Sequence, residues 1–256
     1  MGESSRRPLC DCCGLPLRTC VCSQLPDQGP VDTPALSVFI LQDPREKRRH
    51  LKTGFLGPLV LRDVTVCTSR AFRKLDRFPG LQTVVEESRC RRQRGGVSQQ
   101  GSPCAAEVET VLLFPSPHSV DFEDFVASRG HVQHWNVLVL DATWDQASSM
   151  LHQSVEHLGS HVVQHVHFSQ GTLDHLYQDR VDMSYVRKPP KADALSTVET
   201  IFLAARIVGE DVAADGLLRV ASFYAQLHVQ FASERGSTVT QSSPPPSKRR
   251  KLESPS

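Results

Sequence analysis

The stretch Asn136–Gln153, NVLVLDATWDQASSMLHQ, changes its period in the middle. Asn136–Asp141 is an almost continuous apolar run closed by a carboxylate, the pattern of a strand covered on both faces in a parallel sheet. Thr143 and Gln146 then stand at capping-box spacing, so a helix is expected to begin there and run to about Leu158. In open parallel sheets ligands bind at the carboxyl ends of the strands. Asp141 therefore stands where chemistry tends to be placed. On spacing alone, a plain strand-end carboxylate with Trp144 as a packing anchor is the better reading.

Working outward, further strand candidates are Ala35–Gln42, Val64–Thr68, Thr110–Phe114 and His161–Phe168, with helical patterns between them. This alternation predicts an α/β fold with a mostly parallel sheet. A second turn, Tyr185–Glu199 (YVRKPPKADALSTVE), carries Pro189 and Pro190 and a capping box at Ser196 and Glu199. The helix after it would place Val198, Ile201, Phe202, Ala205 and Val208 on one face. Its N-terminus offers free N–H groups to an anion, with Arg187 and Lys188 nearby, although on these residues alone an ordinary capped helix is the better reading. Leu113–Pro117 follows a third strand. No dinucleotide fingerprint, phosphate-binding loop or nucleophile elbow is present.

The chain has 256 residues, 39% hydrophobic and 22% charged, with a formal net charge of +1. A chain of that length buries roughly 70–75% of its unfolded surface, so a globular body is expected. The balance of charge excludes a uniformly basic coat but not a local basic face. No apolar run reaches the roughly 18–20 residues that span a bilayer. The start, MGESSRRPLCDCC, has no apolar stretch of the kind a secretory signal needs, so free thiols in a reducing compartment are expected.

Cys10, Cys13, Cys20 and Cys22 have C-x2-C-x6-C-x-C spacing in a segment too short for its own core. Four thiolates so placed suit a tetrahedral zinc ion whose binding would order the segment. Cys12 is a fifth thiol beside them, and Cys67, Cys90 and Cys104 are scattered. The organisation read from composition is a zinc module and linker over 1–34, an α/β domain over 35–232, and a disordered basic tail over 233–256. Within the domain, Glu87–Ala106 reads as a mobile basic insertion. In the tail, Lys248–Lys251 reads equally as a nuclear localisation signal or a generic basic end, leaving nucleus and cytoplasm both open.

With these residues in view the chain resembles the DTW-domain family. Asp141-Ala142-Thr143-Trp144 matches its D-x-T-W signature. The four cysteines match its N-terminal pattern, and Leu41–Thr53 matches its Q-H-P-x-E and L-x-T block with Pro44, Glu46 and Thr53 in register. Leu112–Ser116 matches its L-L-Y-P block; Arg187, Pro190 and Leu195–Glu199 match its R-x-x-P and L-S-T-x-E block. The final helix and tail look most like the second eukaryotic subgroup. Asp43 departs from the pattern, because the family has His there.

The resemblance implies a SPOUT-like, mostly parallel sheet with a C-terminal trefoil knot. It implies a tRNA-uridine aminocarboxypropyltransferase that moves the 3-amino-3-carboxypropyl group of S-adenosylmethionine to N3 of a uridine, forming acp3U and releasing methylthioadenosine. Asp141, Thr143 and Trp144 would serve catalysis, with Asp141 taking or positioning the N3 proton. Leu113, Pro115, Arg187, Leu195, Ser196, Thr197 and Glu199 would hold the donor, and structural zinc would sit on the four cysteines. The substrate would be tRNA, bound by Arg45, Lys47, Arg48, Arg49 and Lys52, with Arg89, Arg91, Arg92 and Arg94 as a second basic run. No membrane association and no obligate protein partner are expected. The competing readings are a SPOUT-like RNA methyltransferase and a non-catalytic zinc-dependent RNA-binding protein.

Overall fold

The computed structural model describes residues 8–46, 52–93, 107–176 and 195–234. Six strands form one sheet: β1 (Leu36–Gln42), β2 (Val64–Thr68), β3 (Val108–Leu113), β4 (Val120–Asp121), β5 (His134–Asp141) and β6 (Gln164–His167). Their order is β2-β1-β5-β3-β6-β4, and every pairing is parallel. The expected strands are all present with ends shifted by up to three residues. The two-residue β4 lies outside the expectation, since so short a pairing leaves no period to read.

Residues alternate between two cores, one on each side of the sheet. From β1, Leu36, Val38 and Ile40 enter one core and Phe39 and Leu41 the other. From β5, Trp135, Val137 and Val139 join the first and Leu138 the second. The first core is closed by residues of α1 (Leu56–Val60), α3 (Phe122–Ala127), α7 (Thr197–Ile207) and α8 (Asp211–Glu234). The second is closed by α2 (Pro79–Gln93), α4 (Trp144–Gln153) and α5 (Val155–Leu158). α6 (Gln170–Leu176) follows β6. Burial on both faces is why the central strands read as unbroken apolar runs.

Two expectations are corrected. The helix from Thr143 does not run unbroken to Leu158, because it is interrupted at Ser154, which has φ −116°. There the Ser154 hydroxyl donates to the Met150 carbonyl at 2.6 Å and accepts the Phe72 N–H at 2.8 Å. The helical turn thus yields to a side-chain bond with the backbone. The insertion expected over 87–106 also begins later, because residues up to Gln93 are the last turns of α2. Arg89 donates to the Glu156 carbonyl, Arg92 to the Ser160 carbonyl and Arg91 to the Val108 carbonyl, which fastens those turns to the body. These arginines tie α2 to α5, to β3 and to the loop after α5, which their run of charge did not reveal. Residues 94–106, including Arg94 and Cys104, lie outside the described residues.

α7 is buried around most of its circumference, with Val198, Ile201, Phe202 and Ala205 joined by Leu203 and Ala204. Val208, placed on that face by the pattern, is its partly buried C-terminal cap. The path between α6 and α7, on which the expected C-terminal knot depends, falls in 177–194, outside the described residues. The tail beyond Glu234, with Lys248–Lys251, lies outside them too. No described helix is long and apolar enough to cross a membrane.

The Ser154 contact gives a direct check. Ser154→Ala removes the acceptor of a buried N–H and is expected to destabilise the fold by about 1–3 kcal/mol. A urea titration should show a lower midpoint than wild type, and an unchanged midpoint would count against the bond.

Candidate active site and metal centre

Three strands end in one row. Gln42 of β1 pairs with Thr68 of β2 on one side and with Asp141 of β5 on the other. Asp141 is buried. Its Oδ2 accepts from the Gln42 amide at 2.8 Å, and its Oδ1 accepts from the Thr197 hydroxyl at 2.6 Å. Its backbone carbonyl accepts the Asp43 N–H at 3.0 Å. Gly54 lies against this carboxylate so closely that an added Cβ would stand 2.7 Å from Oδ2. Asp141 thus binds the end of β5 to the end of β1 and to the start of α7.

Both expected capping boxes are present. Thr143 accepts from the Gln146 N–H and Gln146 returns a bond to Thr143 N–H, both at 3.3 Å, which aims α4 at the end of β5. At α7, Ser196 N–H donates to Glu199 Oε2 at 2.6 Å, and Ser196 Oγ accepts from Glu199 N–H at 3.5 Å. Thr143, Ser196 and Glu199 are therefore held in helix starts, and Ser196 and Glu199 are buried.

Between these helix starts opens a cleft at the carboxyl ends of β3, β5 and β6. It encloses about 880 Å³, its open mouth included. Leu113, Pro115, Trp144, Leu195 and Thr197, all expected at the site, line it. Phe114, His167, Phe168 and Thr200 also line it, and none of the four was among the expected site residues. Phe114 follows the last paired residue of the apolar strand β3 and could have been found by asking which side chain comes next, whereas His167 closes the short polar strand β6, which offers no such signal. Trp144 is 41% exposed, and its ring lies 6.1 Å from that of Phe114, making an aromatic lip. His167 Nδ1 is buried and has no hydrogen-bond partner among the described residues. The wall is thus mostly apolar, with a few polar groups and the N-terminus of α7 opening on it.

Behind the Ser116 loop stands His165, buried below its usual pKa by loss of solvent. Its ring bonds Ser116 Oγ at 2.9 Å and the Leu158 carbonyl at 2.7 Å. The neutral ring carries one N–H, which the carbonyl takes, so Nδ1 accepts from Ser116.

The expected RNA residues are placed unevenly. Arg45 is bidentate on Asp43, Nε to Oδ1 at 2.9 Å and a terminal nitrogen to Oδ2 at 2.8 Å. The Arg45 side chain holds the buried Asp43 carboxyl below the usual carboxylate range. Asp43 therefore takes the guanidinium for itself, and Arg45 gives little net charge there. Lys52 Nζ lies 6.0 Å from the centre of the Phe55 ring. Lys47, Arg48 and Arg49, like Arg187, lie outside the described residues.

The cysteine segment gathers four thiols that could hold a metal ion. Cys10 N–H donates to the Leu15 carbonyl at 2.7 Å, and Gly14 turns the chain with φ +69°, a region glycine enters without steric cost. Sγ of Cys10 lies 3.5 Å from those of Cys20 and Cys22, and Cys13 lies 3.7 Å from Cys20. Four sulfurs about 2.3 Å from a tetrahedral zinc would stand about 3.8 Å apart, so the donor set suits that ion. Backbone N–H groups of Cys13 and Cys12 lower the Cys10 thiol to about 6, while its neighbours push Cys22 up. A dication would override such repulsion by binding all four as thiolates. Cys12 is exposed and outside the four-sulfur group.

The segment expected as a separate module is seated in the main core. Val21 and Cys13 belong to the same cluster as β1 and α8, and Arg219 donates to the Gln24 carbonyl at 3.3 Å. Metal binding should therefore support the whole domain. Purified protein is expected to carry one zinc per chain by elemental analysis. Chelation should lower the thermal midpoint of the entire cooperative transition, and a midpoint indifferent to chelator would refute that coupling.

The comparisons follow this geometry. A tRNA-uridine aminocarboxypropyltransferase 2 of Drosophila melanogaster is 28% identical over 200 residues, 77% of this chain and 64% of that protein. The proteins of that name from Macaca fascicularis and Mus musculus are each 26% identical, over 153 and 154 residues. Those matches cover 59% of this chain and 43% and 44% of the relatives. The chain thus spans between 43% and 64% of the curated relatives' length. No solved structure matches it. The DTW domain model matches residues 7–229, the cysteine segment, the sheet and α8 up to its last residues, and the chain belongs to the DTW-domain family.

Proposed function

We propose that this protein transfers the 3-amino-3-carboxypropyl group of S-adenosylmethionine to N3 of a tRNA uridine, forming acp3U. The observation that carries the reading is the apolar cleft between two capped helix starts, governed by a buried carboxylate in the family's signature. The name shared by the relatives supports both the reaction class and the substrate. The six-strand parallel sheet, with α7 returning to the end of β5, supports a SPOUT-like chain with a knotted C-terminal part as a piece of the same proposal.

The donor's sulfonium makes its adjacent carbons electrophilic: the N3–C bond forms, the C–S bond breaks with its electron pair going to sulfur, N3 loses its proton and methylthioadenosine leaves. The chain's part is mainly orientation, because three carbons are activated and only one is to meet the nucleophile. Leu113, Phe114 and Pro115 offer an apolar wall to the nucleoside part. The start of α7, with Thr197 and Thr200, offers polar groups and a positive dipole end to the donor carboxylate. Trp144 at the mouth suits stacking on an unstacked uracil, which only a loop nucleotide presents readily.

Both oxygens of Asp141 already accept hydrogen bonds and the group is buried. That favours the positioning half of its expected role over proton abstraction. It holds Thr197 and the start of α7 at a fixed height above the end of β5, so Asp141 shapes the donor site through its neighbours.

The decisive experiment is mass spectrometry of nucleosides from bulk tRNA incubated with protein and S-adenosylmethionine. A uridine heavier by the aminocarboxypropyl group, with methylthioadenosine as coproduct, is expected. A methylated base with S-adenosylhomocysteine would replace the reading by a methyltransferase, and no mass gain with retained tRNA binding would leave a binding protein. Asp141→Asn sets an amide N–H against one of two donors, so kcat is expected to fall by roughly 100-fold or more. Gly54→Ala displaces the same carboxylate and should lower kcat likewise while circular dichroism stays native; wild-type turnover in both would remove Asp141 from the site.

A further inference from the structure

The segment Ser69–Arg77, SRAFRKLDR, joins β2 to the turn before α2 and carries four cations against one acid. Arg70, Arg73, Lys74 and Arg77 are exposed, while Phe72 and Leu75 between them are buried. Alternation of buried anchors and outward cations makes the segment a fixed ledge. Its backbone is pinned at several points. Ser69 N–H donates to the Gln42 carbonyl at 3.0 Å, Phe72 N–H donates to Ser154 Oγ at 2.8 Å, and the Arg73 carbonyl meets His157 Nε2 at 3.1 Å. The rings of Phe72 and Phe78 lie 5.5 Å apart beneath it.

The ledge stands on the same edge of the sheet as the cleft. Thr68, Gln42 and Asp141 form a single row across β2, β1 and β5. With neighbouring strands about 4.8 Å apart, the row spans about 10 Å, and Ser69 is the next residue after it. Arg70 is near enough to Asp43 to help hold that carboxyl low. Among the described residues none of the four cations is engaged in an ion pair. Arg45, by contrast, is neutralised by Asp43, and Arg206 by Asp211 and Asp215.

We infer that Arg70, Arg73, Lys74 and Arg77 form the docking ledge for the RNA backbone, receiving phosphates of nucleotides that flank the uridine held in the cleft. This rests on the proposed tRNA substrate and adds to it four cations that the Arg45–Lys52 run does not include. Cations held on a pinned backbone lose little freedom on binding, and their contacts position the strand without reading its sequence. Neutralising each phosphate releases counterions, so the contribution of the ledge is visible in the salt dependence of binding.

The test uses the full chain and bulk tRNA. Arg70→Gln/Lys74→Gln/Arg77→Gln removes three charges and spares Arg73, whose Nε also donates to the Gln153 carbonyl. Arg62→Gln/Arg129→Gln, before the amino ends of β2 and β5, is the control. Binding is followed by fluorescence anisotropy across a salt series, with S-adenosylmethionine affinity measured in parallel. The ledge variant is expected to bind tRNA about tenfold or more weakly, with the log–log salt slope reduced by about 2–3. Its S-adenosylmethionine affinity should stay at the wild-type value, and the control should match wild type throughout. Equal loss in ledge and control variants, or none in either, overturns the ledge. If wild type still adds the aminocarboxypropyl group to tRNA in that case, the substrate reading stands without it. Wild type that binds no tRNA overturns both.

Discussion

The carboxylate of Asp141 is shared by three parts of the chain. Gln42 ends β1, Thr197 begins α7, and Gly54 gives up its side chain to make room. A buried carboxylate without donors would be costly, so each neighbour is constrained by the need to satisfy it. The cleft inherits its shape from that arrangement: α7 starts at the height where Asp141 holds Thr197. The capping box at Ser196 and Glu199 then supplies the remaining donors and acceptors of that turn. The tetrapeptide that begins with Asp141 continues directly into the cap of α4, so the end of β5 and the start of that helix are set together.

The second organising element lies at the start of the chain. Four cysteines and Val21 close the first core against α8, where a longer protein would use more apolar side chains. Two kinds of cohesion meet there: thiols close enough for a metal to gather, and aliphatic groups that water expels. Neither half suffices in a segment so short, because the residues from Cys10 to Gln24 bury few large side chains among themselves.

Much of this was legible. The run Asn136–Asp141 announced a doubly covered strand, and both capping boxes announced helix starts that the structure places where the spacing set them. Covered strands are legible because both faces demand apolar residues, and caps because few residue types accept the first N–H groups. What stayed hidden was relational. Ser154 breaks a helix because Phe72, 82 residues earlier in the chain, needs an acceptor. Arg89, Arg91 and Arg92 read as a nucleic-acid run but are turned onto carbonyls of α5, β3 and the loop after α5. Arg45 reads as a free cation until Asp43, the residue that departs from the family pattern, is seen beside it. The cations of 70–77 were overlooked for the opposite reason, since spacing by Phe72 and Leu75 kept them from forming a run. Charge runs show which residues are cationic; only packing shows which of them remain available.

The bond from Arg219 to Gln24 spans 195 residues and carries a consequence for biosynthesis. The cysteine segment leaves the ribosome well before the surface of α8 on which it rests is made. At 5–20 residues per second, about 10–40 seconds separate the two. During that interval the thiols have no seat, and a captured ion would hold only a loosely attached knuckle. Metal acquisition and completion of the first core are therefore joined in time, and a nascent chain halted before α8 would expose its four sulfurs to oxidants and to competing metals.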